Sequence, residues 1–263
     1  MTQMPTTSPT MTPLPSAAPT PRPTLRCASV AFSSARVVAA FADYVQSVFA
    51  TDVDGDGDVD VLSASMNDNT VAWYENDGSQ SFTEHIVTTI ADGAWDVYAI
   101  DVDGDGDVDV LSASFNDDTV AWYENDGSES FTERIISTLA DNTYSVYAID
   151  VDGDGDVDAL LTSYNDDTAA WYENGGSQSF TERIITTLAD GVGSVYAIDV
   201  DGDGDVDTLS ASGVDDTIAW YENDGAQSFT ERIVSALADY AWDVYATDVD
   251  GDGDVDALLA SQA

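Results

Sequence analysis

Residues 52–60 read D-V-D-G-D-G-D-V-D, and the same nine residues return at 101–109, 150–158, 199–207 and 248–256. The step is 49 residues each time. The rest of the period repeats with it. T-V-A-W-Y-E-N-D-G at 70–78 recurs with small changes at 119–127, 168–176 and 217–225, and F-T-E-H/R-I begins at Phe82, Phe131, Phe180 and Phe229. A strict period of this size predicts a repeat architecture, in which each unit is too small to bury a core alone and stacks on its neighbours.

Each period holds four short runs of β-forming residues. In the second they are V-Y-A-I (97–100), V-L-S-A-S (110–114), T-V-A-W-Y-E (119–124) and F-T-E-R-I-I (131–136). Val, Ile, Tyr, Trp and Thr between Gly, Asn and Asp are strand signals. Asn125-Asp126-Gly127, tolerant of positive φ, suits a hairpin between the third and fourth runs. The first three runs are apolar or small on both faces, as in strands covered on both sides. The fourth carries Glu133 and Arg134, charges that guard an exposed edge against further pairing. Four strands per period, stacked radially, predict an all-β fold: a β-propeller of 49-residue, four-stranded blades, with a solenoid as the alternative.

The array's start follows from the same arithmetic. Residues 36–52 align without gaps to 232–248, four periods downstream, with ten of 17 positions identical. Arg36 to about Ala40 is therefore expected to be a strand of the fourth type. Four full periods run from about Val48 to Ala236, and Val244 to Ser261 supply the first two strands of a fifth blade. That count gives nineteen strands where five blades need twenty. Residues 25–30, L-R-C-A-S-V, are a weak match to the missing one. Either a slightly incomplete five-bladed ring or a piece of a larger ring satisfies this count. Residues 1–25 are rich in Thr, Pro and Ser and read as a disordered, stalk-like tail before a repeat domain over 26–263. They hold no hydrophobic stretch typical of a secretion signal.

The chain has 263 residues, 43% of them hydrophobic and 10% aromatic, ample for a core and unlike a chain disordered throughout. Its charge is extreme: 51 acidic residues against six arginines and no lysine, a formal −45. That balance argues against nucleic acid and anionic lipid surfaces as partners. No apolar run approaches the length of a membrane span, and the lone Cys27 allows no intrachain disulfide framework.

The nine-residue loops hold 25 of the 51 acidic residues. Calcium takes six to eight oxygen ligands from carboxylates and main-chain carbonyls. In the first loop Asp52, Asp54, Asp56 and Asp60 stand at positions 1, 3, 5 and 9, with Asp58 at position 7 offering its carbonyl. The same roles fall to Asp101, Asp103, Asp105, Asp107 and Asp109, and to Asp150, Asp152, Asp154, Asp156 and Asp158. They fall again to Asp199, Asp201, Asp203, Asp205 and Asp207, and to Asp248, Asp250, Asp252, Asp254 and Asp256. Gly55 and Gly57 allow the turn that converges alternate carboxylates. About five Ca2+ ions are expected. Magnesium, with its strict octahedron and retained waters, suits such a cage less well. Position 12 is Ser or Leu, not the glutamate of an EF-hand, and the flanks are strands.

The period, and a D-x-D-G-D-G-x-x-D loop between two strands, resemble the FG-GAP/VCBS repeats of propellers of the integrin α-subunit type, over about residues 30–263. The resemblance implies a calcium-holding loop between the two inner strands of each blade. The literal Phe-Gly and Gly-Ala-Pro signatures are absent, and no integrin-like ligand role carries over.

Trp73, Trp122, Trp171 and Trp220 recur once per period and read as core between blades. Trp95 and Trp242 occur in only two periods, where Gln46, Tyr144 or Gly193 stand elsewhere, and are the better ligand-binding candidates. His85 replaces an arginine of the other periods and reads as a surface strand residue. No catalytic residue is assigned, since nearly every acidic position recurs whereas a catalytic site usually breaks symmetry. The expectation is a monomeric, calcium-binding propeller without enzymatic activity, serving extracellular or cell-surface adhesion or protein interaction. A carbohydrate-binding propeller is the alternative, and a polysaccharide lyase or hydrolase scaffold the third reading.

Overall fold

The computed structural model describes residues 35–40 and 42–262. The tail over 1–25, the segment 25–30 and Cys27 lie outside them. One compact unit spans Val37–Ala263. The described residues contain strands and no helix, so none of their elements is a helix long and apolar enough to cross a membrane.

Four antiparallel four-stranded sheets follow one another. They are β1 (Val45–Thr51), β2 (Asp60–Ser65), β3 (Thr70–Asn76), β4 (Phe82–Thr88); β5 (Ala94–Ile100), β6 (Asp109–Ser114), β7 (Thr119–Asn125), β8 (Phe131–Ser137); β9 (Val146–Ile149), β10 (Asp158–Ser163), β11 (Thr168–Asn174), β12 (Phe180–Thr186); and β13 (Val192–Ile198), β14 (Asp207–Ser212), β15 (Thr217–Asn223), β16 (Phe229–Ser235). A two-stranded sheet of β17 (Ala241–Thr247) and β18 (Asp256–Ser261) closes the series. Strand order within each sheet is sequential, as hairpin connections require. The five-residue loop after β7 turns through Gly127 at φ 73° and is closed by the Asp126 amide donating to the Ser130 carbonyl at 3.3 Å.

Burial follows the composition of the runs. In the four-stranded sheets the second and third strands are buried almost throughout, whereas β8 exposes Thr132, Glu133, Arg134 and Ile135. In the first three sheets the third-strand tryptophan packs between its own sheet and the next. Trp73 shares a cluster with Tyr123 and Phe131, Trp122 with Tyr172 and Phe180, and Trp171 with Phe229. Trp220 is partly exposed, because the sheet after it has no third or fourth strand to supply those partners.

The first strands of successive sheets, β1, β5, β9, β13 and β17, lie side by side, and all five line a common cavity. Across them Phe49, Tyr98, Tyr147, Tyr196 and Tyr245 form a ladder with ring centroids 4.6–4.9 Å apart. Side chains also stitch neighbouring sheets. Asp96 Oδ2 accepts the Val146 amide at 3.0 Å, Ser145 Oγ the Val195 amide at 3.4 Å and Ser194 Oγ the Val244 amide at 3.4 Å.

The two ends of the series differ from its middle. Val48 is 66% exposed, while its counterparts Val97, Val146, Val195 and Val244 are 3–4% exposed. Leu258 is 44% exposed, against 0–2% for Leu62, Leu111, Leu160 and Leu209. No described element covers either end. The strand expected over Arg36 to Ala40 is not formed: residues 35–40 carry no strand. Their counterparts in β16 pair with β15, and no third strand stands beside 35–40 among the described residues. An isolated strand has no partner for its backbone groups.

Leucine occupies one repeat position in five environments, which makes the architecture testable. Leu111→Ala is expected to cost about 2–5 kcal/mol in urea unfolding, as for a fully packed leucine. Leu258→Ala should cost about 0.5 kcal/mol or less, as for a surface site. Equal losses at the two positions would contradict the open last sheet.

Candidate metal centres and an aromatic cavity

The connection from first to second strand in every sheet is the aspartate loop, and its backbone amides bind its own carboxylates. Asp52 accepts the Gly55 and Gly57 amides at 2.9 Å each, Asp54 that of Asp56 at 3.1 Å, and Asp56 that of Asp58 at 2.8 Å. Gly55 and Gly57 stand at φ 75° and 96°, a region that costs other residues strain. The pattern repeats in the other four loops.

This folding brings three carboxylate oxygens within 4.8 Å of one another in each loop. The sets are Asp52, Asp54, Asp60; Asp101, Asp103, Asp109; Asp150, Asp152, Asp158; Asp199, Asp201, Asp203; and Asp248, Asp250, Asp256. Positions 1, 3 and 9 thus converge in four loops and positions 1, 3 and 5 in the fourth. Asp56, Asp105, Asp154 and Asp252 lie outside these sets, as do Asp207 and the position-7 residues Asp58, Asp107, Asp156, Asp205 and Asp254. Asp58, Asp107, Asp156 and Asp205 sit instead against hairpin glycines. A Cβ placed on Gly78, Gly127, Gly176 or Gly225 would come within 2.5–2.7 Å of their carboxylates.

The position-9 aspartates have a second task. Asp109 accepts the Asn125 amide at 2.8 Å and the Val102 amide at 2.9 Å, joining the loop's start to the end of β7. Asp60, Asp158 and Asp207 make the same pair of bonds. Asp256, with no third strand beside it, makes only the bond to the Val249 amide. Burial pushes the carboxyls of Asp109 and Asp158 up to about 7, and those of Asp60 and Asp207 upward, against the lowering effect of these amide bonds. Burial and then the Asp105 charge also raise Asp103. A hard divalent cation fits this donor set, because it supplies positive charge to crowded carboxylate oxygens, one of them buried in each of the first three loops.

The cationic side chains of the fourth strands pair with glutamates of the third. Arg134 Nε donates to Glu124 at 2.8 Å and Arg183 Nε to Glu173 at 2.7 Å, and Arg232 pairs with Glu222. His85 fills the same place in the first sheet, its Nε2 2.9 Å from Glu75 and its ring stacked on Trp73.

The two irregular tryptophans meet. Trp95 and Trp242 lie with ring centroids 6.2 Å apart, and Tyr144 touches both, at 4.7 and 5.5 Å. With Gln46 and Gly193 they form one layer of a cavity of about 220 Å3. Ser47, Asp96, Ser145, Ser194 and Asp243 form the next layer. These rings stand at the start of the first strands, and the aspartate loops leave from their other ends. The carboxylates Asp96 and Asp243 escaped the sequence reading. Their signal was present: both interrupt a 49-residue register that holds serine in the other three periods. Burial raises the Asp96 carboxyl above its ordinary range.

The two kinds of loop aspartate separate on substitution. Asp109→Ala strands two amides and should destabilise the chelator-treated protein by about 2–4 kcal/mol. Asp103→Asn should leave chelator-treated stability nearly unchanged and remove one equivalent of bound calcium. Thermal melts in chelator read the stabilities, and a calorimetric calcium titration counts the equivalents.

A family model, the FG-GAP-like repeat, matches residues 52–112, 101–161, 150–210 and 199–259. No curated protein matches. Among solved structures, an Agrocybe aegerita lectin described as recognising non-reducing terminal N-acetylglucosamine is similar at TM-score 0.56 and 18% identity. The match covers 81% of this chain and 59% of the lectin. The V. cholerae biofilm matrix protein Bap1 is similar at TM-score 0.49 and 18% identity, over 82% of this chain and 34% of that one. This chain therefore spans about three fifths of the lectin's length and a third of the matrix protein's. With four tandem matches running from residue 52 to residue 259, the chain belongs to the FG-GAP-like repeat family.

Proposed function

We propose that the chain is a calcium-stabilised β-propeller that works without catalysis, as an extracellular or cell-surface module for adhesion or protein interaction. The observation that carries this reading is the convergence of three carboxylates at the same strand–loop–strand position five times over. Membership of the FG-GAP-like repeat family and the fold likeness to a lectin support a binding role. The shared cavity and the aromatic ladder across all five first strands support radial stacking of the sheets.

The ion sets the location. With an affinity of roughly 10⁻⁴ M, as in extracellular modules, about 1 mM calcium stabilises each occupied loop by about 1.4 kcal/mol. At cytosolic, submicromolar calcium the gain nearly vanishes. Thermal unfolding in millimolar calcium, in equal magnesium and in chelator tests the proposal. A large rise in melting temperature with calcium, a smaller one with magnesium and the lowest value in chelator are expected. Identical melts in all three would overturn it.

A glycan-binding role is the second reading. A pocket of about 200 Å3 lies between the second and third sheets, lined by Asp103, Trp122, Glu124, Arg134, Ser177 and Gln178. Its polar groups suit sugar hydroxyls, and the likeness to a lectin supports the assignment. Binding on a glycan array that is lost in Gln178→Ala is the expected result. An array that stays blank in calcium would remove this reading and leave the interaction module.

A further inference from the structure

The cavity between the first strands breaks the symmetry of the repeat in a concerted way. Two of its five tryptophan-or-other positions and two of its five serine-or-aspartate positions depart together, as Trp95-Asp96 and Trp242-Asp243. The two pairs come from the second and fifth sheets, yet the rings lie 6.2 Å apart and the two carboxylates are close enough to repel. Packing alone does not require this, since serine serves the same position in the other three sheets.

We infer that this cavity binds a quaternary ammonium group, which the rings of Trp95, Tyr144 and Trp242 and the carboxylates of Asp96 and Asp243 receive together. The charge around it selects the sign of the ligand. No arginine or histidine lines the cavity, and Arg134, Arg183, Arg232 and His85, on the outer strands, are held by glutamates of the third strands. Aromatic rings beside a desolvated cation attract it through their quadrupoles, most strongly for tryptophan.

The hydrogen bonds select the type of cation. Asp96 already accepts the Val97 amide at 2.9 Å, the Val146 amide at 3.0 Å and the Ser47 hydroxyl. Ser194 Oγ already donates to Asp243 Oδ1 at 2.8 Å. Asp96 thus offers charge and few directional bonds, and Asp243 adds one carboxylate oxygen, Oδ2, too few acceptors for a ligand with several N–H or O–H donors. A guanidinium, a primary amine or a sugar needs such bonds to replace those it makes with water, and a methylated ammonium does not. The cavity of about 220 Å3 equals about seven waters at ~30 Å3 each, room for one such group. This inference stands on the first strands and is independent of the aspartate loops.

The test is a tryptophan-fluorescence titration of the full chain in saturating calcium, at constant ionic strength. Tetramethylammonium and choline are the probes, with 3,3-dimethylbutanol as the neutral isostere of choline and N-acetylglucosamine as the sugar. Saturable binding of both cations is expected, at least about fivefold tighter than the neutral isostere. Asp243→Asn and Trp242→Leu should each weaken it about fivefold, with the calcium-dependent melt of Asp243→Asn unchanged. A trimethyllysine amide that binds as well as choline assigns the source to a protein side chain, and one that does not assigns it to a small molecule. Tighter binding of the isostere or of N-acetylglucosamine, an equal response to sodium, or undiminished binding in both variants would overturn the inference.

Discussion

Three carboxylate oxygens held within 4.8 Å of one another, in five places, are the constraint on which the rest of the molecule depends. Like charges at that separation oppose the chain conformation that brings them together. The backbone answers in part: glycines at positive φ turn amides onto the first aspartate of every loop. The ninth residue of the loop answers in another way, because it also fastens the loop to the third strand. In the first three loops the ninth aspartate both joins the carboxylate cluster and holds the loop to the third strand, so the proposed ion binding couples to fold stability.

The opposite ends of the first strands are built on other forces. There side chains accept the next sheet's amides, and farther along the first strands, toward the loops, an aromatic ladder joins the sheets. These contacts need no ion. The molecule thus has one end governed by charge, where the loops leave the first strands, and another governed by aromatic packing, where Trp95 and Trp242 meet. The series is open at its outer faces, where valine and leucine that are buried in the middle sheets stand exposed at Val48 and Leu258.

The repeat made most of this legible from the residues. The strands of the second period lie within a few residues of the runs that announced them, because composition, turn residues and period all agreed. The place of the loops between first and second strands was legible for the same reason. What failed was inference by likeness alone. Residues 36–40 share sequence with a fourth strand but carry no strand, since a strand is made by its neighbour as much as by its own residues. Trp220 matches the three buried tryptophans in sequence and differs in exposure, because burial depends on the sheet that follows. Asp96 and Asp243 were hidden in another way. A search for what repeats passes over the positions that do not, and only the fold shows that two such departures share one cavity.

The central claim is that each loop is a cage for one calcium ion. Counting the ions bound by chelator-treated protein, by calorimetric titration alongside native mass spectrometry, tests it most directly. The account predicts about five calcium ions per chain, saturating near the extracellular calcium level. Binding of none or one, with the stability of the chain unchanged, would make the loops solvated acidic turns and contradict the claim.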